Sequence, residues 1–363
     1  MNFNYTCPSC HREFLATDGH IATEIDCPNC SFKSVVHIDQ VTSEPPPLEE
    51  NLPLTLEDLT TSKEKIYFGI LLTISTIGWL ILAISMFGIF YAALGGLAAW
   101  FASGLLAAHL KSESIQVTRE QLPVLYRSLE EVCGKLNLPE IPEFYIVQHN
   151  GVLNAFATRH SGRNFVVIFS DLLEALGHDS PQIRFLIGHE IGHIRRNHLI
   201  KRLMLIPSMI IPLLGKAYHR ACEATCDRFG LFAAGNTRGA TLGLLVLAGG
   251  REAARLADPA AFARQHHRCR GFFVSWHELA SGYPTLSRRV SNILAVRNPE
   301  FTRKVGRNPM AYLFAPIFTF QTLILVYIVA VFGALALPAF HKAYQKGKET
   351  QQRNRAHSPL RSN

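Results

Sequence analysis

His189-Glu190-Ile191-Gly192-His193 sets two imidazoles four residues apart with a carboxylate beside the first. On a helix that spacing puts both rings on one face, where they can hold a single divalent cation, and Glu190 projects close enough to handle the proton of an attacking water. The surrounding stretch, Gln182 to Arg202, reads as a helix with a buried face from Phe185-Leu186-Ile187, while Gly188 and Gly192 let another element come close. A hydrolytic zinc site needs a third protein ligand and one open position. His198 is one candidate, but five residues beyond His193 it falls off the shared face and is expected to look into solvent among Arg195, Arg196 and Lys201. Glu223 is better placed. It opens Glu223-Ala224-Thr225-Cys226-Asp227 on a second helix, and Asp227, one turn on, could orient a ligand imidazole from behind.

A metal centre of another kind is written near the start of the chain. Cys7-Pro8-Ser9-Cys10 and Cys27-Pro28-Asn29-Cys30 are two C-x-x-C knuckles, and four thiolates so spaced can close a tetrahedral structural zinc site. A segment this short buries too little surface to fold alone, so the metal would supply the missing stability. Residues 1–40 are therefore expected to be a zinc ribbon, followed by a proline-bearing, acidic linker over 41–65.

The elements that must carry these groups include membrane helices. Ile66 to Met86 and Ile89 to Ala108 are apolar runs without a charge, each long enough to cross about 30 Å of hydrocarbon. Gly88 between them suggests a tight hairpin over 66–110. Lys63 and Lys65 before the pair and Lys111 and Arg119 after it place both flanks on the cytoplasmic side. The stretch 111–309 has soluble composition. Helices are expected over Ile115 to Leu138, Ala217 to Ala234 and Arg238 to Leu256, with short strands at Phe144 to Gln148 and Phe165 to Phe169. Between the two chemical motifs, Leu203 to Leu214 is mostly apolar. It must be an excursion or a return, because a single crossing would part His189 from Glu223 across a bilayer. A third apolar segment over 310–340 precedes a basic tail, 341–363. Three crossings would put that tail opposite the catalytic domain, against its own positive charge, so either the segment re-enters or lies in the interface, or the charge rule fails for this tail.

Composition agrees with this layout. Of 363 residues 48% are hydrophobic and only 18% charged, which excludes disorder and coiled coil and makes an ordinary water-soluble enzyme doubtful. Met1 to Cys10 is polar, so no cleaved signal peptide is expected there. The net charge of +8 is modest and partly in the tail, which fits a lipid bilayer as partner better than nucleic acid. The ribbon also lacks the interleaved aromatic and basic residues of a nucleic-acid face.

Beyond these local readings the chain resembles the HtpX and CAAX-prenyl-endopeptidase family of integral-membrane zinc metalloproteases, over roughly Ile66 to Asn298. The resemblance rests on His189-Glu190-x-x-His193, on Glu223-x-x-x-Asp227, on Leu153-Asn154-Ala155-Phe156-Ala157-Thr158, and on Tyr283-Pro284 with Arg289-Val290. It implies a mainly helical α+β fold: a zincin-like (gluzincin) domain with a small sheet. It also implies Glu223 as third zinc ligand, and Asn154, Ala155 and Phe156 as the place where a protein or peptide substrate lies as an added strand. Tyr283 stands where many members have His, so Tyr283, Arg289 or both would steady the oxyanion, with His277 as a substitute. The expected function is a membrane-bound zinc endopeptidase with one catalytic and one structural Zn2+ and Glu190 as general base. The rival is a membrane-anchored zinc-ribbon binding protein whose peptidase-like domain is idle.

Overall fold

The computed structural model describes residues 2–6, 9, 13–17, 24–35, 52–148, 151–303, 305–317 and 320–356. At the start of the chain β1 (Asn2–Thr6) pairs antiparallel with β2 (Glu13–Thr17), and β3 (Glu24–Asp26) with β4 (Lys33–Val35). The second cysteine knuckle occupies the turn of the second hairpin. Ser31 N–H donates to the Cys27 carbonyl at 2.9 Å and Cys27 N–H to the Phe32 carbonyl at 3.0 Å, with Cys27 buried and Cys30 exposed. Cys7 and Cys10, the other half of the expected ribbon site, lie outside the described residues.

Two long helices follow, α1 (Ser62–Ile84) and α2 (Met86–Glu113). Both outrun the apolar segments at their outer ends, and at the start of α1 a polar cap sets the limit: Thr61 Oγ1 accepts from Glu64 N–H. The turn falls at Ser85, whose hydroxyl accepts from Gly88 N–H at 3.2 Å, and not at Gly88 itself. Gly88 instead allows close approach, since a Cβ there would stand 2.5 Å from the Leu82 carbonyl oxygen.

The expected helix over Ile115 to Leu138 divides. Ile115–Gln116 form β5, and α3 (Pro123–Lys135) starts only at Pro123, after Leu122 takes φ 65°. Proline favours a helix's first turn and resists its interior. Strand β5 joins β6 (Glu143–Val147), β7 (Ala155–His160) and β8 (Arg163–Phe169) in a sheet of order β5-β6-β8-β7; only β6 and β8 run parallel. Period-2 alternation then fills two layers. Phe144, Ile146, Val166 and Ile168 enter the main core with Leu129, Ile187 and Ile191, while Tyr145, Phe165 and Val167 pack on Ala107 and Leu110 of α2. The end of an apolar helix thus roofs the sheet.

The helical layer comprises α4 (Ser170–Leu176), α5 (Pro181–Arg195), α6 (His198–Met204), α7 (Ile206–Met209), α8 (Leu214–Ala234) and α9 (Thr237–Leu256). The single helix expected over Gln182 to Arg202 is broken at Asn197, which adopts φ 51°. Asparagine tolerates that left-handed conformation better than most residues. The apolar excursion after it returns along α1: Trp79 Nε1–H donates to the Met204 carbonyl at 2.8 Å, and the buried Ser75 and Ser208 hydroxyls meet at 2.7 Å. The chain continues through α10 (Pro259–Arg268), α11 (Phe272–Ala280), α12 (Leu286–Leu294) and α13 (Pro309–Phe314) to α14 (Phe320–Ala356). The last helix runs through Pro338 into the basic tail, past the limit at residue 340 that hydropathy suggested. Among the described residues, three helices are long and apolar enough to cross a membrane. The architecture is the mainly helical α+β arrangement that the motifs implied.

Candidate metal centre

Helices α5 and α8 cross closely because glycine removes the side chains at their contact. A Cβ on Gly188 would fall 2.4 Å from Ala233 Cβ, and one on Gly230 2.6 Å from the Phe185 carbonyl oxygen. The crossing brings the second helix's carboxylates onto the first helix's imidazoles. Glu223 Oε2 lies 3.3 Å from His189 Nε2, and Glu223 Oε1 lies 3.5 Å from His193 Nε2. One ligand atom from each of these three residues falls within 4.8 Å of the others. Two imidazoles and a carboxylate, converging on a cleft, suit a tetrahedral divalent ion with one position left open.

Local charge favours such an ion. His189, Glu190, Glu223, Asp227 and Arg289 are all buried, so three carboxyl groups surround one guanidinium. Asp227 backs the first ligand: His189 Nδ1 and Asp227 Oδ1 are 3.0 Å apart, and Arg289 clamps Asp227 through Nη2 to Oδ1 at 2.6 Å and Nε to Oδ2 at 2.9 Å. Burial works against both carboxylates. Arg289 and His189 nonetheless hold Asp227 below its ordinary range, and His189 and His193 hold Glu223 well below its own. Burial opposes a charge on His189 too, but Asp227 and Glu223 outweigh it and lift the ring to about 9. His193, pushed down to about 3 chiefly by burial, is a neutral ring with a lone pair to give. Burial and the nearby Glu223 raise Glu190 to about 7, against the pull of His189 and Arg289. A carboxyl group poised near neutrality suits general acid–base work.

The cleft at these groups is lined by Asn154, Ala155, Phe156 and Ala157 from the sheet edge, and by His219, Tyr283 and Arg289. Strand β7 is itself the edge strand. Asn154 C=O accepts from Phe169 N–H of β8, so in antiparallel alternation Ala155 and Ala157 turn their backbone groups away from β8. The Ala157 N–H faces Glu190.

Three sequence expectations change. Arg289 reaches the cleft but gives its guanidinium to Asp227, the carboxylate beside His189. His277 lies on the exposed side of α11 and does not line the cleft, because the register of that helix turns Ser275 and Glu278 inward instead. His198 is not in solvent: the reversal at Asn197 folds it back, 3% exposed, with Nδ1 3.1 Å from His193 Nδ1. Sequence reasoning also missed His219. One turn before Glu223 on α8, it donates from Nδ1 to the Gly282 carbonyl at 2.8 Å and packs edge-on to Tyr283, ring centroids 4.9 Å apart. Its i, i+4 relation to Glu223 was the available signal.

Residues 120–297, which contain every one of these groups from β7 to α12, match the model of peptidase family M48. The chain carries an M48 peptidase domain. Over 153 residues it is 29% identical to the plastoglobule-localized metallopeptidase 48, chloroplastic, of Arabidopsis thaliana, a match covering 38% of this chain and 43% of that protein. The chain therefore spans less than half the length of that relative. The M48 domain starts just after α2 and includes α12, so His189, His193, Glu223, Asp227 and Arg289 all lie inside it.

Proposed function

We propose that the protein is a membrane-anchored zinc endopeptidase in which His189, His193 and Glu223 hold the catalytic ion and Glu190 is the general base. The observation that carries this reading is the convergence of those three ligand atoms within 4.8 Å at the wall of a cleft that Glu190 also lines. Zinc held there supplies Lewis acidity, polarising the scissile carbonyl and acidifying water. Glu190 takes the proton of the attacking water and returns it to the leaving amine. Tyr283, packed on His219 and lining the cleft, donates to the carbonyl oxygen as it gains charge. A substrate segment adds to the sheet through the outward backbone groups of Ala155 and the carbonyl of Ala157, beside Asn154 and Phe156.

The positive flanks of α1 and α2 support a cytoplasmic catalytic domain, with the ribbon on the same side. Cys27 and Cys30, already on a tight turn, would join Cys7 and Cys10 around a structural zinc. Membrane and unfolded proteins are the substrates such an anchored site would meet.

Glu190→Gln in the purified full-length protein tests the assignment. Zinc content should be unchanged and cleavage of an unfolded protein abolished. Undiminished cleavage would refute the general-base role, and a wild type that neither cleaves nor nicks itself with zinc present would favour a binding protein instead.

A further inference from the structure

Behind His193 stands a second connection from a carboxylate to a ligand imidazole. His193 turns Nε2 toward Glu223 and Nδ1 toward His198, whose Nδ1 is 3.1 Å away. The other nitrogen of His198, Nε2, lies 3.3 Å from Oε1 of Glu64, in the first turn of α1. Glu64 is 1% exposed, and its Oε1 accepts from Arg196 Nε at 3.1 Å and Nη2 at 3.0 Å, with Lys201 Nζ at 3.7 Å.

The arrangement repeats, with one extra ring, what backs the other ligand. His189 meets Asp227, and Arg289 clamps Asp227; His193 meets Glu64 through His198, and Arg196 clamps Glu64. One set of tautomers serves the whole line. With its Nε2 lone pair forward, His193 carries hydrogen on Nδ1 and donates it to Nδ1 of His198. His198 then carries its own hydrogen on Nε2, facing Glu64. Groups that fix the tautomer and tilt of a metal-binding imidazole in this way raise its metal affinity. Glu64, His198 and Cys222 also bring ligand atoms within 4.8 Å of one another. Two cationic side chains on that carboxylate, Arg196 and Lys201, argue against a second cation there.

We propose that Glu64 and His198 are positioning residues for the catalytic ion: the first apolar helix supplies a carboxylate that orients His198, and His198 orients the ligand His193. The helix that anchors the enzyme thereby completes its active site, although Glu64 lies outside the M48 domain. The inference rests on the zinc reading above.

The test uses full-length protein in detergent, with zinc affinity measured against a chromophoric chelator and the visible spectrum of the Co2+-loaded protein as a second readout. His198→Leu and Glu64→Gln should each weaken zinc binding about tenfold and shift the cobalt bands, while His198→Gln, whose amide can accept from His193 and donate to Glu64, should stay within about threefold of wild type. The double variant Glu64→Gln/His198→Leu should bind no more weakly than His198→Leu alone, because one residue acts through the other. Ser75→Ala, which disturbs α1 packing away from the relay, should leave zinc affinity unchanged. Glu64→Gln, nearly isosteric, carries the test should His198→Leu fail to fold. Wild-type affinity and cobalt spectrum in Glu64→Gln would overturn the relay alone, whereas a wild type that binds no zinc outside the cysteine ribbon would overturn the site reading and the relay together.

Discussion

Arg289 on α12 meets Asp227 on α8 through three contacts of 2.6, 2.9 and 3.2 Å, 62 residues apart in the chain and buried on both sides. Asp227 also faces the Nδ1 of His189, so on the proposed reading the pair orients that imidazole for the metal. Asp227→Asn removes the charge that both partners need. Zinc affinity should fall roughly 10- to 100-fold, and stability by about 3–5 kcal/mol as Arg289 is left buried without its counter-ion. Chelator competition and thermal unfolding read the two effects separately; unchanged zinc affinity would remove Asp227 from the ligand's support.

Tyr283 and His219 pack together and line the same cleft as Glu190. Tyr283→Phe keeps the ring packing of His219 and loses only the hydroxyl, so kcat should drop on the order of 100-fold with KM nearly unchanged. His219→Ala should also lower kcat, and the double variant should lose less than the product of the two, since His219 acts partly by placing Tyr283 and the Gly282 carbonyl. Steady-state kinetics on one peptide decides it, and fully multiplicative losses would mean that the two residues work independently.

A separate buried cluster sets an acid limit on stability. His266 Nε2 accepts from Arg288 Nε at 3.1 Å, and Glu278 accepts from Arg288 at 2.6 Å and Arg307 at 2.8 Å. Burial, then Arg288, push His266 down to about 4. Its folded pKa lies below the unfolded value near 6.5, so its contribution is complete above 6.5 and is lost as pH falls toward 4. Burial would raise Glu278, but Arg307 and Arg288 hold it low; that ion cluster too is present above the ordinary carboxylate range and is lost in stronger acid. Wild type should therefore lose more Tm between pH 6.5 and 4 than His266→Gln does. Comparing the two cancels any loss of metal common to both, and parallel curves would count against the assignment.

Much of the molecule was written locally. The His189 and His193 spacing, the Glu223 and Asp227 spacing and the first two long apolar runs are all statements about neighbours within a turn or a few turns, where helix periodicity fixes which side chains share a face. The glycines of α5 likewise foretold a close crossing, which the contact with Ala233 and Phe229 bears out. Local signals misled where one residue changed the course of the backbone. Pro123 started α3 late, and Asn197 broke the motif helix, so His198 landed against His193 instead of in water.

Amino-acid spacing by itself determined which groups were available for a metal and roughly which helices would carry them. Only the tertiary structure decided what stands behind those groups: Arg289 on Asp227, Glu64 on His198, and Tyr283 beside His219. The reason is physical. A contact one helical turn away follows from backbone geometry alone, whereas contacts across 62 to 134 residues depend on how α1, α8 and α12 pack, and no local pattern encodes that packing.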